Sequence, residues 1–237
     1  MKVQHFFDPH TFTLTYVVHD QTSRIGVVID SVLDFDPKNG RTSYESCDAV
    51  ARYIDAQRLT IPYVLDTHAH ADHLSGMAYF KEKHGSLTVI GSHITQVQSR
   101  FRDLYNLGRD FLVDGRQFDI LLRDEDVLKV GALSVKALHT PGHTPGSQCF
   151  LVQDRLVSGD TLFIGSCGRI DLPGSNPEQM YDSLVNKLMK LDDKTVVLPG
   201  HNYAAGRTST TIGEERKQNP YIQFRSVSEF LRAMGYV

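Results

Sequence analysis

Apolar and polar residues alternate through "TFTLTYVV" and "RIGVVIDS" in the first thirty positions, with many β-branched side chains. Period-two patterning of that composition predicts antiparallel strands with short connections. "DFDPKNGRTS", with Pro37 and Gly40, predicts a loop. The period then lengthens: in "SYESCDAVARYIDAQRL" Cys47, Val50 and Ile54 share one helical face. "IPYVLDT" predicts a short buried strand. "HLSGMAYFKEKHG" predicts a helix with Leu74, Met77 and Phe80 on one side and Gly85 as its stop. That reading puts Asp72 near a helix N-terminus, where a carboxylate is electrostatically favoured.

"LTVIGS" predicts a further strand and "ITQVQSRFRDLYN" a helix, before a poorly patterned polar stretch that runs to about Asp126. "LSVKALHTPGHTPGSQCFLVQDRLVSGDTLFIGSCGR" predicts strands broken by tight Gly/Pro turns. "NPEQMYDSLVNKLMKL" predicts an amphipathic helix presenting Met180, Leu184, Leu188 and Leu191. "TVVLPGHNY" is a strand ending in a histidine turn, and "SVSEFLRAMG" a last helix. Strand-rich halves that each carry helices fit a layered α/β sandwich better than a doubly wound parallel sheet. No G-x-G-x-x-G follows a strand and no P-loop motif occurs.

Composition narrows the class without naming it. The 237 residues are 41% hydrophobic and 22% charged, ordinary for a globular protein, and read as one domain over residues 1–237. The formal net charge of −3 and the lack of long basic runs argue against nucleic acid as a partner. No apolar run is long enough to cross a bilayer, and the first twenty residues do not read as a signal peptide. Three widely separated cysteines, Cys47, Cys149 and Cys167, do not form a disulfide framework, so a cytoplasmic location is expected.

The chemistry concentrates in "THAHADH", residues 67–73. In an extended segment residues i and i+2 project to one side, so His68 and His70 could hold one ion together. Asp72 and His73 could face a second point. Three distant residues stand in matching turns: His143 in "TPGHTPGS", Asp160 in "VSGDTLF" and His201 in "LPGHNY". Asp160 is the natural carboxylate bridge. Imidazole with carboxylate suits zinc, iron or manganese alike. The remaining histidines, His84 and His139 among them, read as surface or packing residues.

Taken together, "THAHADH", "TPGHTPG", "SGDTLF" and "LPGHNY", in that order, resemble the metallo-β-lactamase superfamily. The resemblance implies an αββα sandwich with its site at one edge between two sheets. "CGRIDLPGSNPEQMYDSL" and "TIGEERKQNP" are similar to the branch that holds glyoxalase II enzymes and persulfide dioxygenases, and "VIDSVLDFDPKNGRTS" is similar to the dioxygenase-like members. In the glyoxalase II pattern one zinc would take His68, His70 and His143, and the other Asp72, His73 and His201, with Asp160 bridging. Two such metals together activate water against a thioester carbonyl. In the dioxygenase pattern a single Fe(II) takes His68, His143 and Asp160, a facial set that leaves positions open for sulfur and O₂. The other histidines and Asp72 then orient those ligands.

Asp72 and His73 are the candidate catalytic pair. Arg169 and Tyr203 match positions that bind the thiol carrier in the branch, and a guanidinium suits a carboxylate bidentately. The expected substrate is therefore a glutathione-type thiol compound. Iron-dependent oxidation of glutathione persulfide to sulfite is the first expectation, and dinuclear-zinc hydrolysis of a glutathione thioester the alternative. Two departures bear on the choice. Asn219-Pro220 is followed by Tyr221, Ile222 and Gln223 rather than by the basic region of glyoxalase II, and Asn202 stands where the dioxygenases have Asp. A β-lactamase proper would have Cys at Asp160 and an export signal, and a nuclease a basic surface. The branch also suggests a homodimer.

Overall fold

The computed structural model describes residues 1–203 and 206–236. The alternating N-terminal segments form strands β1 (Lys2–Phe7), β2 (Leu14–His19) and β3 (Ile25–Ile29), paired antiparallel as their short connections require. Strands β6 (Thr60–Leu65), β8 (Leu87–Gly91) and β9 (Ile120–Leu122) join them in parallel and complete a first sheet. Its order is β1-β2-β3-β6-β8-β9. The parallel pairs are bridged by α1 (Glu45–Gln57), by α2 (Met77–His84) and by α3 (Ile94–Leu104).

The second sheet runs β10 (Val127–Val130), β11 (Leu133–His139), β12 (Gln148–Val152), β13 (Arg155–Gly159), β14 (Val196–Pro199) and β15 (Thr210–Thr211). The crossover between the parallel strands β13 and β14 contains the helix α4 (Pro177–Tyr181). Helices α5 (Ile212–Gln218) and α6 (Val227–Ala233) follow the last strand.

Side-chain alternation sorts the core into three layers. Tyr16, Val18, Val27 and Ile29 from the first sheet meet Val135, Ala137, Phe150 and Val157 from the second. Val17, Val28 and Val64 point the other way, onto Cys47, Val50 and Ile54 of α1 and Met77 and Phe80 of α2. On the far side, Cys149, Leu156 and Val197 are covered by Met180, Leu184, Ile212 and Phe230. Both faces of β2 are therefore buried along its whole length. The result is the αββα sandwich of the metallo-β-lactamase fold.

Four expectations are corrected. The predicted loop after residue 32 contains a hairpin, β4 (Val32–Asp36) with β5 (Arg41–Ser43), closed over the Pro37–Gly40 turn. Leu74 is not helical. It lies in β7 (Leu74–Ser75), paired with Leu33 of β4, and α2 starts only at Met77. Asp72 therefore stands in a loop five residues before the helix and gains nothing from its dipole. The unpatterned stretch before Asp126 holds β9, too short to show a period. The amphipathic segment after Asn176 is α-helical only to Tyr181, then widens into a π-turn over Asp182–Lys187 and tightens into 3₁₀ over Leu188–Lys190. Met180, Leu184 and Leu188, spaced by four, all stay buried.

The two sheets are tied at one end. The Tyr16 hydroxyl donates to the Pro199 carbonyl at 2.8 Å, Gln148 N to Thr67 O at 2.9 Å, and Leu14 N to Gly200 O at 2.8 Å. Gly159 permits the closest approach. Its φ is +47°, and a Cβ there would lie 2.3 Å from Thr67 Oγ1. We expect Gly159→Ala to lower the unfolding free energy by roughly 2–4 kcal/mol, through left-handed strain plus overpacking. Urea denaturation measures this.

Candidate metal centre

The four motif segments leave the ends of their strands at this tied edge. His68, His70, Asp72 and His73 follow β6, His143 follows β11, Asp160 follows β13 and His201 follows β14. The structure thus brings together all seven metal-ligating candidates, from four connections. The grouping differs from that read from spacing, because β6 stops at Leu65 and residues 66–73 are a loop rather than extended strand. His68, His143 and Asp160 form one group and His70, Asp72 and His73 a second, the ligand atoms of each lying within 4.8 Å of one another. His201 joins the two: its Nε2 is 3.4 Å from Asp72 Oδ2 and 3.4 Å from Asp160 Oδ1.

Hydrogen bonds fix which ring nitrogen each histidine leaves bare. A carbonyl can only accept, so His143 Nδ1 donates to Arg169 O (2.8 Å), His73 Nδ1 to Leu74 O (2.9 Å) and His201 Nδ1 to Thr11 O (3.1 Å). Each Nε2 is left with its lone pair. His68 is set by a relay. Thr67 Oγ1 spends its proton on Asp30 Oδ2 (2.9 Å), so it accepts from His68 Nδ1 (3.0 Å). Asp30 Oδ1 lies 3.3 Å from His70 Nε2, an ion pair that holds the charged ring in place. His68, His73, His143 and His201 thus turn Nε2 toward buried points of the site, while His70 is held in its charged form beside Asp30.

Several of the site's polar atoms lack partners within the protein. His68 Nε2, both His70 ring nitrogens, His73 Nε2 and Asp160 Oδ1 are buried with no hydrogen bond among the described residues. Buried polar atoms are seldom left so, and their convergence fits a bound cation. Imidazole with carboxylate is also a donor set that transition metals accept.

The electrostatics agree. Burial drives His68 well below the usual imidazole range, with the His70 charge adding to it. Burial together with His70 lowers His73 to about 4. His70 goes the other way: burial opposes its charge, but Asp30 raises it to about 9. Burial alone would raise Asp160, yet His201 at 3.4 Å and the neighbouring His68 and His143 hold it below the carboxylate range. His68, His143 and Asp160 are only 1%, 5% and 9% exposed, and burial favours the neutral form of His68 beside that anion.

The substrate-binding candidates lie outward. Arg169 is exposed, its guanidinium held by Asp171 through two 2.9 Å bonds, while its carbonyl orients His143. Tyr203 is 64% exposed, and its ring stacks on His201 at 5.2 Å. Cys167 is pushed up to about 12 by burial, which keeps it a thiol.

Three supporting residues escaped the sequence reading. Asp30 ends β3 fully buried in a left-handed conformation. The one signal was a carboxylate closing the apolar run "VVID". Thr11 and Thr13, in the β1–β2 turn, brace His201 and Asp72, the latter through a 3.3 Å hydroxyl bond. Nothing in their local sequence pointed to this.

The comparisons agree with this arrangement. The metallo-beta-lactamase superfamily profile matches residues 9–201. A beta-lactamase hydrolase-like protein of Xylella fastidiosa is 38% identical over 93% of this chain, which spans about half (52%) of that relative's length. A glyoxylase B2 of Dictyostelium discoideum is 34% identical, covering 94% of this chain and 78% of its own. The human mitochondrial persulfide dioxygenase ETHE1 is 31% identical, covering 98% and 80%. Among solved structures, ETHE1 from Myxococcus xanthus superposes with a TM-score of 0.82 at 32% identity, covering 99% of this chain and 90% of the other. The chain belongs to the metallo-beta-lactamase superfamily. It is an enzyme of that superfamily and carries a metal-binding His/Asp cluster.

Thr67→Val keeps the side-chain shape but removes the hydroxyl that sets the His68 tautomer. We expect metal affinity to fall about 10–100-fold, measured by competition with a chromophoric chelator.

Proposed function

We propose that the protein oxidises the persulfide of a small thiol carrier, glutathione persulfide first among them, to sulfite. The observation that carries this reading is the group of His68, His143 and Asp160, a buried two-histidine, one-carboxylate set. The similarity to two ETHE1 proteins, one of them a persulfide dioxygenase, supports it. The balanced reaction consumes the persulfide, O₂ and water and returns the thiol, sulfite and protons.

Fe(II) held by His68, His143 and Asp160 would supply open positions and electrons for O₂ chemistry. The protein's own groups do the rest. Thr67 and the Arg169 carbonyl hold the His68 and His143 rings with Nε2 inward. Asp72 and His73 are the candidate pair for holding the terminal sulfur. His73, lowered to about 4, is neutral at pH 7, so its Nε2 can accept a hydrogen bond from that sulfur. The Arg169 guanidinium, forked onto Asp171, displays the geometry that a substrate carboxylate would take in exchange. Tyr203 would line the entry. The core shared by both sheets supports reading residues 1–237 as one domain.

A second reading has its own observation. His70, Asp72 and His73 form a separate group beside His201. This supports a second metal and, with the glyoxylase relative, zinc-dependent hydrolysis of a glutathione thioester.

Anaerobically purified, iron-loaded protein should take up O₂ with glutathione persulfide and leave a glutathione thioester intact. Thioester cleavage without O₂ uptake would sink the first reading. His70→Ala divides the two again: a dioxygenase keeps most of its iron, measured by elemental analysis, whereas a dinuclear hydrolase loses both metal and activity.

A further inference from the structure

Beside the metal centre lies a cavity of about 150 Å³ lined by Phe163, Ile164, Ser166, His201 and Tyr203. His201 belongs to both spaces: its imidazole edge reaches Asp72 and Asp160, while its ring face stacks on Tyr203 with the planes 8° apart. Phe163 meets both rings edge-on at 5.8 Å. Phe12 extends this wall outward, 5.8 Å from Tyr203, and is itself 47% exposed.

Phe12 stands there at a backbone cost. Its φ is +63°, an outlier for a bulky residue. The conformation is held by Asn202 N donating to the Phe12 carbonyl at 2.9 Å, and by the bridge between Thr13 and His201. The same turn supplies Thr11 O to His201. The turn that braces the metal site therefore also fixes this ring at its mouth.

Among the described residues the lining contains no Asp, Glu, Lys or Arg. A carboxylate placed in it would lose hydration, and the one imidazole there, His201, already turns its Nε2 to Asp72 and Asp160. The nearby cation Arg169 points into its own ion pair on the surface. A cavity of this volume takes a group about the size of benzene.

We infer that this cavity is a subsite for an apolar substituent of about six carbons on the substrate sulfur, with Ile164 and Tyr203 as its walls and Phe12 as its outer rim. This deepens the proposed function and rests on it for the nature of the substrate. Persulfides of small apolar thiols are then substrates beside the glutathione type, whose charged ends stay outside the cavity.

The test is calorimetric titration of the Zn(II)-loaded protein with benzyl mercaptan and, for comparison, 2-mercaptoethanol. Both bring a thiol, but only the first fills the cavity. Benzyl mercaptan should bind at least about tenfold more tightly, since each buried methylene contributes roughly fourfold. Ile164→Glu should remove that margin and leave 2-mercaptoethanol binding unchanged. Phe12→Gly, which deletes the ring while relieving the left-handed strain, should reduce the margin about threefold with no fall in Tm. A native margin below twofold, or one that survives Ile164→Glu, overturns the inference. The margin without persulfide oxidation by the iron form would leave the subsite standing and remove the proposed reaction. Oxidation without the margin would do the reverse.

Discussion

Asp30 is the pivot of the site. Its carboxylate accepts from Thr67 N at 2.7 Å and Thr67 Oγ1 at 2.9 Å, and lies 3.3 Å from His70 Nε2. Through those three contacts it fixes the start of the histidine loop, the tautomer of His68 and the charged form of His70. Its left-handed backbone is a local strain of about 1–3 kcal/mol, tolerated because Leu65 O and the Thr15 hydroxyl clamp its own N–H and carbonyl. The consequence is a set of imidazoles that are oriented and unable to satisfy one another, with His68 and His73 held neutral by burial and by the His70 charge.

Asp160 is the complementary element. It is a buried anion facing the Nε2 atoms of His68, His143 and His201 at 4.0, 3.6 and 3.4 Å. His201, which burial would lower but Asp160 raises toward its charged form, offsets part of that charge. A divalent ion would take over that role, and burying charge without a partner is expensive. The sandwich delivers both halves, since Asp30 and His68 arrive from one sheet and Asp160 and His201 from the other. The Tyr16 and Leu14 bonds across the edge keep those halves in register.

Much of this was legible along the chain. The layered architecture followed from period-two segments alternating with helical ones, and the seven ligand candidates from histidines and aspartates standing at turns beside Gly, Pro or Asp. Patterning failed where a local rule was outweighed. Leu74 sits at helical spacing from Met77, but pairing with Leu33 captures it in a strand. Three-residue β9 is too short to carry a period. The π-turn keeps the i, i+4 face of an ordinary helix, so the sequence cannot announce it. Asp30 and Thr11 act across separations of 37 and 190 residues, distances over which no local pattern reports.

The central claim is that His68, His143 and Asp160 hold one iron as a facial set. Anomalous diffraction at the iron edge, on crystals of anaerobically loaded protein, tests it most directly. The account predicts one anomalous peak per chain, bonded to His68 Nε2, His143 Nε2 and a carboxylate oxygen of Asp160. Two peaks of comparable height, or one among His70, Asp72 and His73, would contradict it.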